Sequence, residues 1–508
     1  MTLTLPALLY DSASRYAAQP FLLSDDLTLG YAQTLELVER CQTYLRSLGV
    51  ERGARVAVLL GNHPAFVVLW FALASLGAVM VPVNTALKGR TLRFILEQSG
   101  STFLFAEAGY RRELAEALAS AEAPPHIVEL AEPGELLSVV KEHAPDRTQG
   151  ADVAEGDAML IVYTSGTTSM PKGAVISHRA YVRAGLDMRD SLQLTARDRF
   201  YLFLPLFHAN PQVYGIMSSL CAGSSIAVDQ RFTASRFWER TLRFQATLFT
   251  YVGTVLSLVA RSGRPASVGS VRACVGGGAP LSAWKTIESW GVAVKELYGM
   301  TELAAFTTIN SFDRWRMGSV GLARPCQEVS ILDSAGKPVA DGVTGEIAVR
   351  GREPHVIFEG YYEQPDVTKA AFTGGWFRTG DAGKRDADGF IYFVGRSKEM
   401  IRRKGENISP EHVEELLREC PLVRETAAVG VPSDLGEDEL KLVAVPNAAG
   451  IDRSQVHAWC RDHLPAFMVP RYYELIEALP KTATAKTERK RLAVVDAKTW
   501  DAYEEGKS

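Results

Sequence analysis

Apolar and polar positions alternate in blocks along the first third of the chain, and the clearest block lies between residues 55 and 83. Residues 55–60 read as a buried strand. The apolar run from Phe66 to Met80, continuing to Val83, predicts a helix that starts near Pro64 and closes at Gly77, then a second buried strand from Ala78. Proline in a first helical turn and glycine just past the last are the expected start and stop signals. Together the three elements make a βαβ unit. The run is short for a membrane span, and Gly77 and Pro82 interrupt it.

The same alternation continues to about residue 300. Residues 158–162, 200–204, 225–228, 246–250 and 271–275 read as short apolar strands. From about 320 to 395 the texture changes to short strands separated by turn signals, among them Asp341-Gly342 and Asp388-Gly389. A charged stretch follows Gly395, and the last hundred residues mix strands (426–431, 440–445) with helices. Ser409-Pro410-Glu411 is a helix start: a capping hydroxyl, a proline and an acid at the positive dipole end. Val413, Leu416 and Leu417 supply its buried face. The fold class expected is α/β. A large N-terminal body of several subdomains, with sheets packed by helices and one β-rich subdomain, precedes a small mobile α+β C-terminal domain.

Composition narrows the function. A chain of 508 residues is too long for one core. A formal net charge of −4 gives no support for nucleic-acid binding. The six cysteines are scattered without a CxxC pair, against a zinc site or a disulfide framework and in keeping with a reducing cytoplasm. The N-terminus lacks the basic region of a signal peptide.

Candidate chemistry centres on Tyr163-Thr-Ser-Gly-Thr-Thr-Ser-Met-Pro-Lys-Gly173, directly after the strand at 158–162. Glycine lets backbone N–H groups approach an anion, hydroxyls add donors and Lys172 adds charge. The loop is not that of P-loop ATPases, which need Gly-Lys followed by Ser or Thr; here Lys172 precedes Gly173 and Ala174. Gly276-Gly-Gly-Ala-Pro280 permits flat backbone approach to a ring. In Tyr298-Gly-Met-Thr-Glu302 an aromatic face can stack on a base, Thr301 can donate to a phosphate and Glu302 can hold magnesium. Trp376-Phe-Arg-Thr-Gly-Asp381 places an acid on a turn between strands.

These motifs, with Leu204-Pro-Leu-Phe-His-Ala-Asn210, Gly395-Arg396 and Pro480-Lys-Thr-Ala-Thr-Ala-Lys486, resemble in kind and order those of the adenylate-forming superfamily. That superfamily includes acyl-CoA synthetases, peptide-synthetase adenylation domains and firefly-type luciferases. The resemblance implies an AMP-forming carboxylic acid–CoA ligase. A carboxylate attacks the α-phosphate of Mg-ATP, giving acyl-AMP and pyrophosphate; the small domain then rotates and CoA thiolate displaces AMP.

By that resemblance Lys486, Thr301, Glu302 and His208 are catalytic, and Glu302 and Thr168 hold Mg2+. ATP and AMP are bound by Thr164, Ser165, Gly166, Thr167, Thr168, Lys172, Gly277, Gly278, Ala279, Pro280, Glu296, Tyr298, Gly299, Met300, Asp381, Phe393 and Arg396. Ala209, Asn210, Tyr251, Gly277, Leu297, Gly299, Ala304 and Ala305 line the acyl pocket; Arg402, Arg403, Lys404 and Gly405 meet CoA. The expected domains are 1–398 and 399–508, hinged at Glu399. A cytoplasmic enzyme of fatty acid metabolism, and a homodimer, complete the expectation.

Ala485, Glu399 and Lys404 stand where the family usually has Gly, Asp or Lys, and Gly respectively. None removes an essential group. The small residues of the acyl pocket predict room for a medium-to-bulky acid, and the absence of an acidic partner disfavours an amino acid. Segments 318–321 and 357–362 look closest to the carnitine–crotonobetaine and fatty-acid branches. Three alternatives stay open: a specialist that thioesterifies acyl-AMP made elsewhere, a standalone enzyme loading a carrier protein, and a non-catalytic nucleotide-binding protein.

Overall fold

The computed structural model describes residues 2–148, 152–164, 170–396, 400–481 and 487–504. The helix Pro64–Ser75 is buried at every position, which is why its sequence shows no polar stripe. It crosses between the parallel strands Arg55–Leu59 and Val79–Pro82, the βαβ unit read from the sequence. Those strands belong to a seven-stranded sheet in the order Gly360–Tyr361, Lys172–Ser177, Ala158–Thr164, Val79–Pro82, Arg55–Leu59, Phe103–Glu107, His126–Leu130. Ala158–Thr164 and Lys172–Ser177 are antiparallel, with Thr164 opposite Lys172. The phosphate-loop candidate therefore joins two strands of a hairpin.

A nine-stranded sheet carries the other half of the body. Its centre is parallel: Ala293–Tyr298, Ala273–Gly277, Leu248–Val252, Arg199–Leu202, Ser225–Val228 and Pro20–Leu23 lie side by side. The carboxyl ends of the first three bring Tyr298, Gly277 and Val252 to one rim, where open α/β sheets bind ligands. A five-stranded antiparallel sheet follows, built on Trp376–Arg385, the β-rich subdomain that the turn signals predict.

The C-terminal segment makes a four-stranded sheet from Val423–Pro432, Asp438–Pro446, Tyr472–Leu475 and Trp500–Asp501. It packs on the helices Pro410–Leu417 and Arg453–His463 with a core of its own, including Val413, Leu417, Leu442 and Tyr473. Ser409 caps the first of these helices by accepting the His412 N–H, as its sequence predicts. The six cysteines are unbridged; five are buried and Cys221 is half-buried. Among the described residues no helix is long and apolar enough to cross a membrane.

Candidate active site

Glu302 sits at the junction of the two large sheets. The strand Ala293–Tyr298 ends beside it, and a short 3-10 turn, Thr301–Leu303, presents its side chain. Its Oε1 accepts the Tyr361 hydroxyl at 2.9 Å and the Thr164 hydroxyl at 3.4 Å. Its Oε2 is buried with no partner. Burial pushes the carboxyl above its ordinary range, opposed by these hydrogen bonds and by the nearby Lys172 ammonium. Lys172 lies over the Tyr361 ring, 5.3 Å from its centroid. One carboxylate, one lysine and two hydroxyls thus converge at the end of the hairpin.

That donor set fits magnesium. The buried, unpartnered Oε2 is an oxygen ligand, and a site that keeps several waters and substrate phosphates needs only one or two carboxylates. Among the described residues no group of three or more His, Cys, Asp or Glu side chains could form an all-protein metal cage. The sequence reading singled out segment 357–362 but gave Tyr361 no place in the site, because its position depends on pairing with Ala174 across the sheet.

Asp381 marks the other end of the site. It is buried and accepts the Tyr298 hydroxyl at 2.7 Å, while the Tyr298 ring stacks against Phe393 at 6.1 Å. The sequence reading put Asp381 on a turn. It lies instead within the strand Trp376–Arg385, where a register shift at Ala382/Gly383 bends the ladder. Arg396 closes the facing strand in register with Asp381; its side chain lies outside what is described. Ser165, Gly166, Thr167, Thr168, Glu399 and Lys486 lie outside the described residues.

Between these ends runs the glycine segment. Glu296 accepts the N–H groups of Gly278 at 2.6 Å and Ala279 at 3.2 Å, and the Tyr251 hydroxyl at 2.5 Å. Its carboxyl thus ties the glycine loop to Tyr251. Burial pushes the group up to about 7, against the pull of those hydrogen bonds and the Arg402 charge.

Ionising Glu296 therefore opposes folding. Its contribution is intact below about pH 4.5 and is lost as pH rises toward about 7, a change of roughly 3 kcal/mol at most. Glu296→Gln keeps the shape and removes the titration. The variant is expected to match the parent in chemical denaturation at pH 4.5 and to exceed it at pH 8. An equal gap at both values would defeat this reading.

The acyl-pocket candidates gather beside this loop. Gly299 is small for a packing reason: a Cβ there would collide with the Ala305 carbonyl and the Phe306 backbone. Its smallness gives no measure of the acid. Ala304 and Ala305 hold φ of 54° and 78°, left-handed values that fold the chain back so that the Ala305 carbonyl accepts the Tyr214 hydroxyl at 3.0 Å. Asn210 donates to the Tyr251 carbonyl at 3.2 Å, and its Oδ1 is buried without a partner. Tyr251, Leu297, Ala304 and Ala305 are buried.

The C-terminal segment reaches this site. The hairpin of Ile401–Arg403 and Glu406–Ile408 lies against it, so that Glu406 Oε1 is 2.9 Å from His208 Nε2 and accepts Asn84 Nδ2 at 3.1 Å. Burial lowers the imidazole pKa, but the Glu406 charge and hydrogen bond outweigh it and the net shift is upward; Glu406 is held below its ordinary range. Arg402 reaches within 3.5 Å of the Gly277 carbonyl. Lys404 is exposed, with φ of 53° where a glycine is usual.

Arg403, expected at CoA, is buried. It pairs with Glu439 at 2.7 Å and donates to the carbonyls of Phe467 and Val469, so it braces the C-terminal fold. Thr91 with His412 and Arg90 with Glu415 extend the contact between the two parts.

A family model described as AMP-binding enzyme matches residues 9–362, and its C-terminal domain model matches 412–486. The chain belongs to the AMP-binding enzyme family. This AMP-binding enzyme is 33% identical over 97% of its length to a probable CoA ligase of Humulus lupulus, covering 96% of that protein. It is 34% identical over 96% of its length to the sulfoacetate–CoA ligase of Cupriavidus necator, covering 97% of it.

Two structures of o-succinylbenzoate CoA synthetase from Bacillus subtilis are informative as a pair. A double mutant bound with a product analogue, OSB-NCoA, superposes with a TM-score of 0.85 at 26% identity, covering 97% of this chain and 99% of that one. The same enzyme with its acyl-adenylate intermediate gives 0.70 at 25% identity, covering 96% and 98%. The arrangement of the AMP-binding enzyme described here is nearer to the complex that holds the CoA analogue.

Proposed function

We propose that this chain is a carboxylic acid–CoA ligase that makes acyl-AMP from ATP and passes the acyl group to CoA in the same site. The observation that carries this reading is the hairpin 401–408, which brings Glu406 onto His208 at the rim of a site already furnished with Lys172, Glu302 and Asp381. A nucleotide site alone would not need a second part closing on it.

In the first step a carboxylate oxygen bonds to the α-phosphorus and pyrophosphate leaves. Lys172 and the loop after Thr164 meet the phosphates, Asp381 takes the ribose hydroxyls and Lys486 meets the developing charge. Glu302, with Thr168, would hold magnesium, which when bound neutralises phosphate charge. In the second step the CoA sulfur bonds to the acyl carbon and the carbon–oxygen bond to AMP breaks. Arg402 and Lys404, at the tip of the docked hairpin, are proposed to face CoA in that step.

We take residues 1–398 and 399–508 as the two moving parts, with Glu399 at the hinge. The separate core of the C-terminal sheet supports this division. Unbridged cysteines support a reducing cytoplasm as the working compartment. The acid is proposed as medium-sized to bulky and uncharged beyond its carboxylate, since no cation is among the candidate pocket residues; the unpartnered Asn210 Oδ1 favours one that carries a hydroxyl or amide donor.

The test is acid-dependent ATP–pyrophosphate exchange over a panel from acetate to aryl and hydroxylated long-chain acids. Exchange with one group of acids, lost in Lys486→Ala, is the expected result. Acyl transfer from preformed acyl-AMP without any exchange would instead identify a thioesterifying specialist. Transfer to a carrier thiol but not to CoA would identify a loading enzyme, and ATP binding without turnover would remove the enzyme reading.

A further inference from the structure

The turn between the C-terminal strands Val423–Pro432 and Asp438–Pro446 carries a buried carboxylate that the two-step scheme leaves unused. Glu437 Oε2 accepts the N–H of Gly405 at 3.0 Å. Its Oε1 accepts the N–H of Thr254 at 3.2 Å and lies 3.8 Å from Arg402 Nε. Gly405 and Arg402 belong to the hairpin that closes the site. Thr254 belongs to the first turn of the helix Gly253–Arg261, in the N-terminal body. One side chain, 4% exposed, thus ties the hairpin tip to the helix that follows Tyr251.

The surrounding turn fits the same surface. Ser257 donates to the Leu435 carbonyl at 2.7 Å, and Arg261 donates to the Asp434 carbonyl. Gly436, at φ of 84°, lies against Pro280, the end of the glycine segment, so closely that a Cβ would collide with the proline ring. A Cβ at Gly253 would strike the Gly278 carbonyl and lie 3.4 Å from Glu437 Oε1. The first-turn N–H groups of a helix have no partner within the helix, so an acceptor from outside completes Thr254 only while the two parts are docked. When they separate, water serves both partners and no buried charge remains.

We propose that Glu437 is a positioning residue for the thioester-forming step: it clamps the 402–405 tip against the Gly253–Arg261 helix, and it takes no part in making the acyl-adenylate. This rests on the ligase reading above. Charge-assisted hydrogen bonds are about twice as strong as neutral ones, so the clamp discriminates between docked and separated arrangements.

The test uses full-length Glu437→Ala and Glu437→Gln. Three quantities are compared with the parent: pyrophosphate exchange, single-turnover acyl transfer from preformed acyl-AMP to CoA, and hydrogen exchange of peptides spanning 253–261 and 401–408. Glu437→Ala should leave pyrophosphate exchange within about twofold and slow transfer on the order of ten- to a hundredfold. Both peptides should exchange faster together while the strand Val423–Pro432 keeps its protection. Glu437→Gln, which retains one carbonyl acceptor, should fall between the two.

Unchanged transfer, or a parallel fall in both half-reactions, overturns the proposal. So does unchanged protection of the two peptides, an arm that needs no substrate. A failure of the ligase reading shows in the parent, as absence of both exchange and transfer. A failure of the clamp shows only in the variants.

Discussion

Glu302→Gln is expected to lower acid-dependent pyrophosphate exchange by roughly a hundredfold or more, the scale of losing one preorganised electrostatic group at a site of developing charge. The carboxylate is asymmetric in its surroundings. Oε1 is committed to Tyr361 and Thr164, and a glutamine carbonyl can keep both bonds. Oε2 faces no protein partner, and it is this atom that becomes an amide N–H2, which cannot ligate a cation. The melting temperature should therefore stay within a few degrees while activity is lost. Raising magnesium should not restore the rate. Exchange that survives in Glu302→Gln would remove this residue from the reaction and leave it a packing role.

Glu406→Ala should separate the half-reactions in the opposite sense. Acyl transfer to CoA should fall about a hundredfold, because truncating one member of a hydrogen-bonded charge pair leaves the other without its partner. Pyrophosphate exchange, which needs the hairpin elsewhere, should remain. The pair also sets a pH dependence. His208 is raised above its ordinary value by Glu406, so the attraction is present in full below the unperturbed histidine range and is lost as pH rises through the raised value. Transfer by the parent should therefore decline on the alkaline side, and Glu406→Gln should flatten that limb. Single-turnover transfer between pH 6 and 9 checks this; an identical profile in the variant would detach the pair from the step.

Much of the scaffold was legible because its signals are local. The helix Pro64–Ser75 announces itself by proline at its first position, unbroken apolar composition and a glycine beyond its end, which here has φ of 68°. The capping of Pro410–Leu417 is equally local. The order of the nucleotide motifs marked the site: 276–280 and 298–302 close neighbouring parallel strands whose carboxyl ends share one rim, and the loop after Thr164 follows a strand of the adjoining sheet.

What escaped depends on pairings far apart in the chain. Asn84 meets Glu406 across 322 positions, and Thr254 meets Glu437 across 183. Neither acid has a neighbour in sequence that hints at its partner. Arg403 reads by resemblance as a CoA contact; only the folded sheet reveals that Glu439 and two carbonyls enclose it. Gly299 was read for the ligand space it might leave, yet it answers to the close return of the chain at Ala305. Small residues report proximity of backbone as readily as volume for a substrate.

The burial of the cysteines has a practical consequence. Cys41, Cys274, Cys326, Cys420 and Cys460 are enclosed, and burial pushes the half-buried Cys221 thiol up to about 12. Thiolates, not thiols, attack aromatic disulfide dyes. In the native protein such a dye should stay nearly colourless, so its colour will report free CoA alone. Consumption of CoA can then be followed directly by quenched dye titration, without blocking the enzyme's own sulfur and without a coupling enzyme.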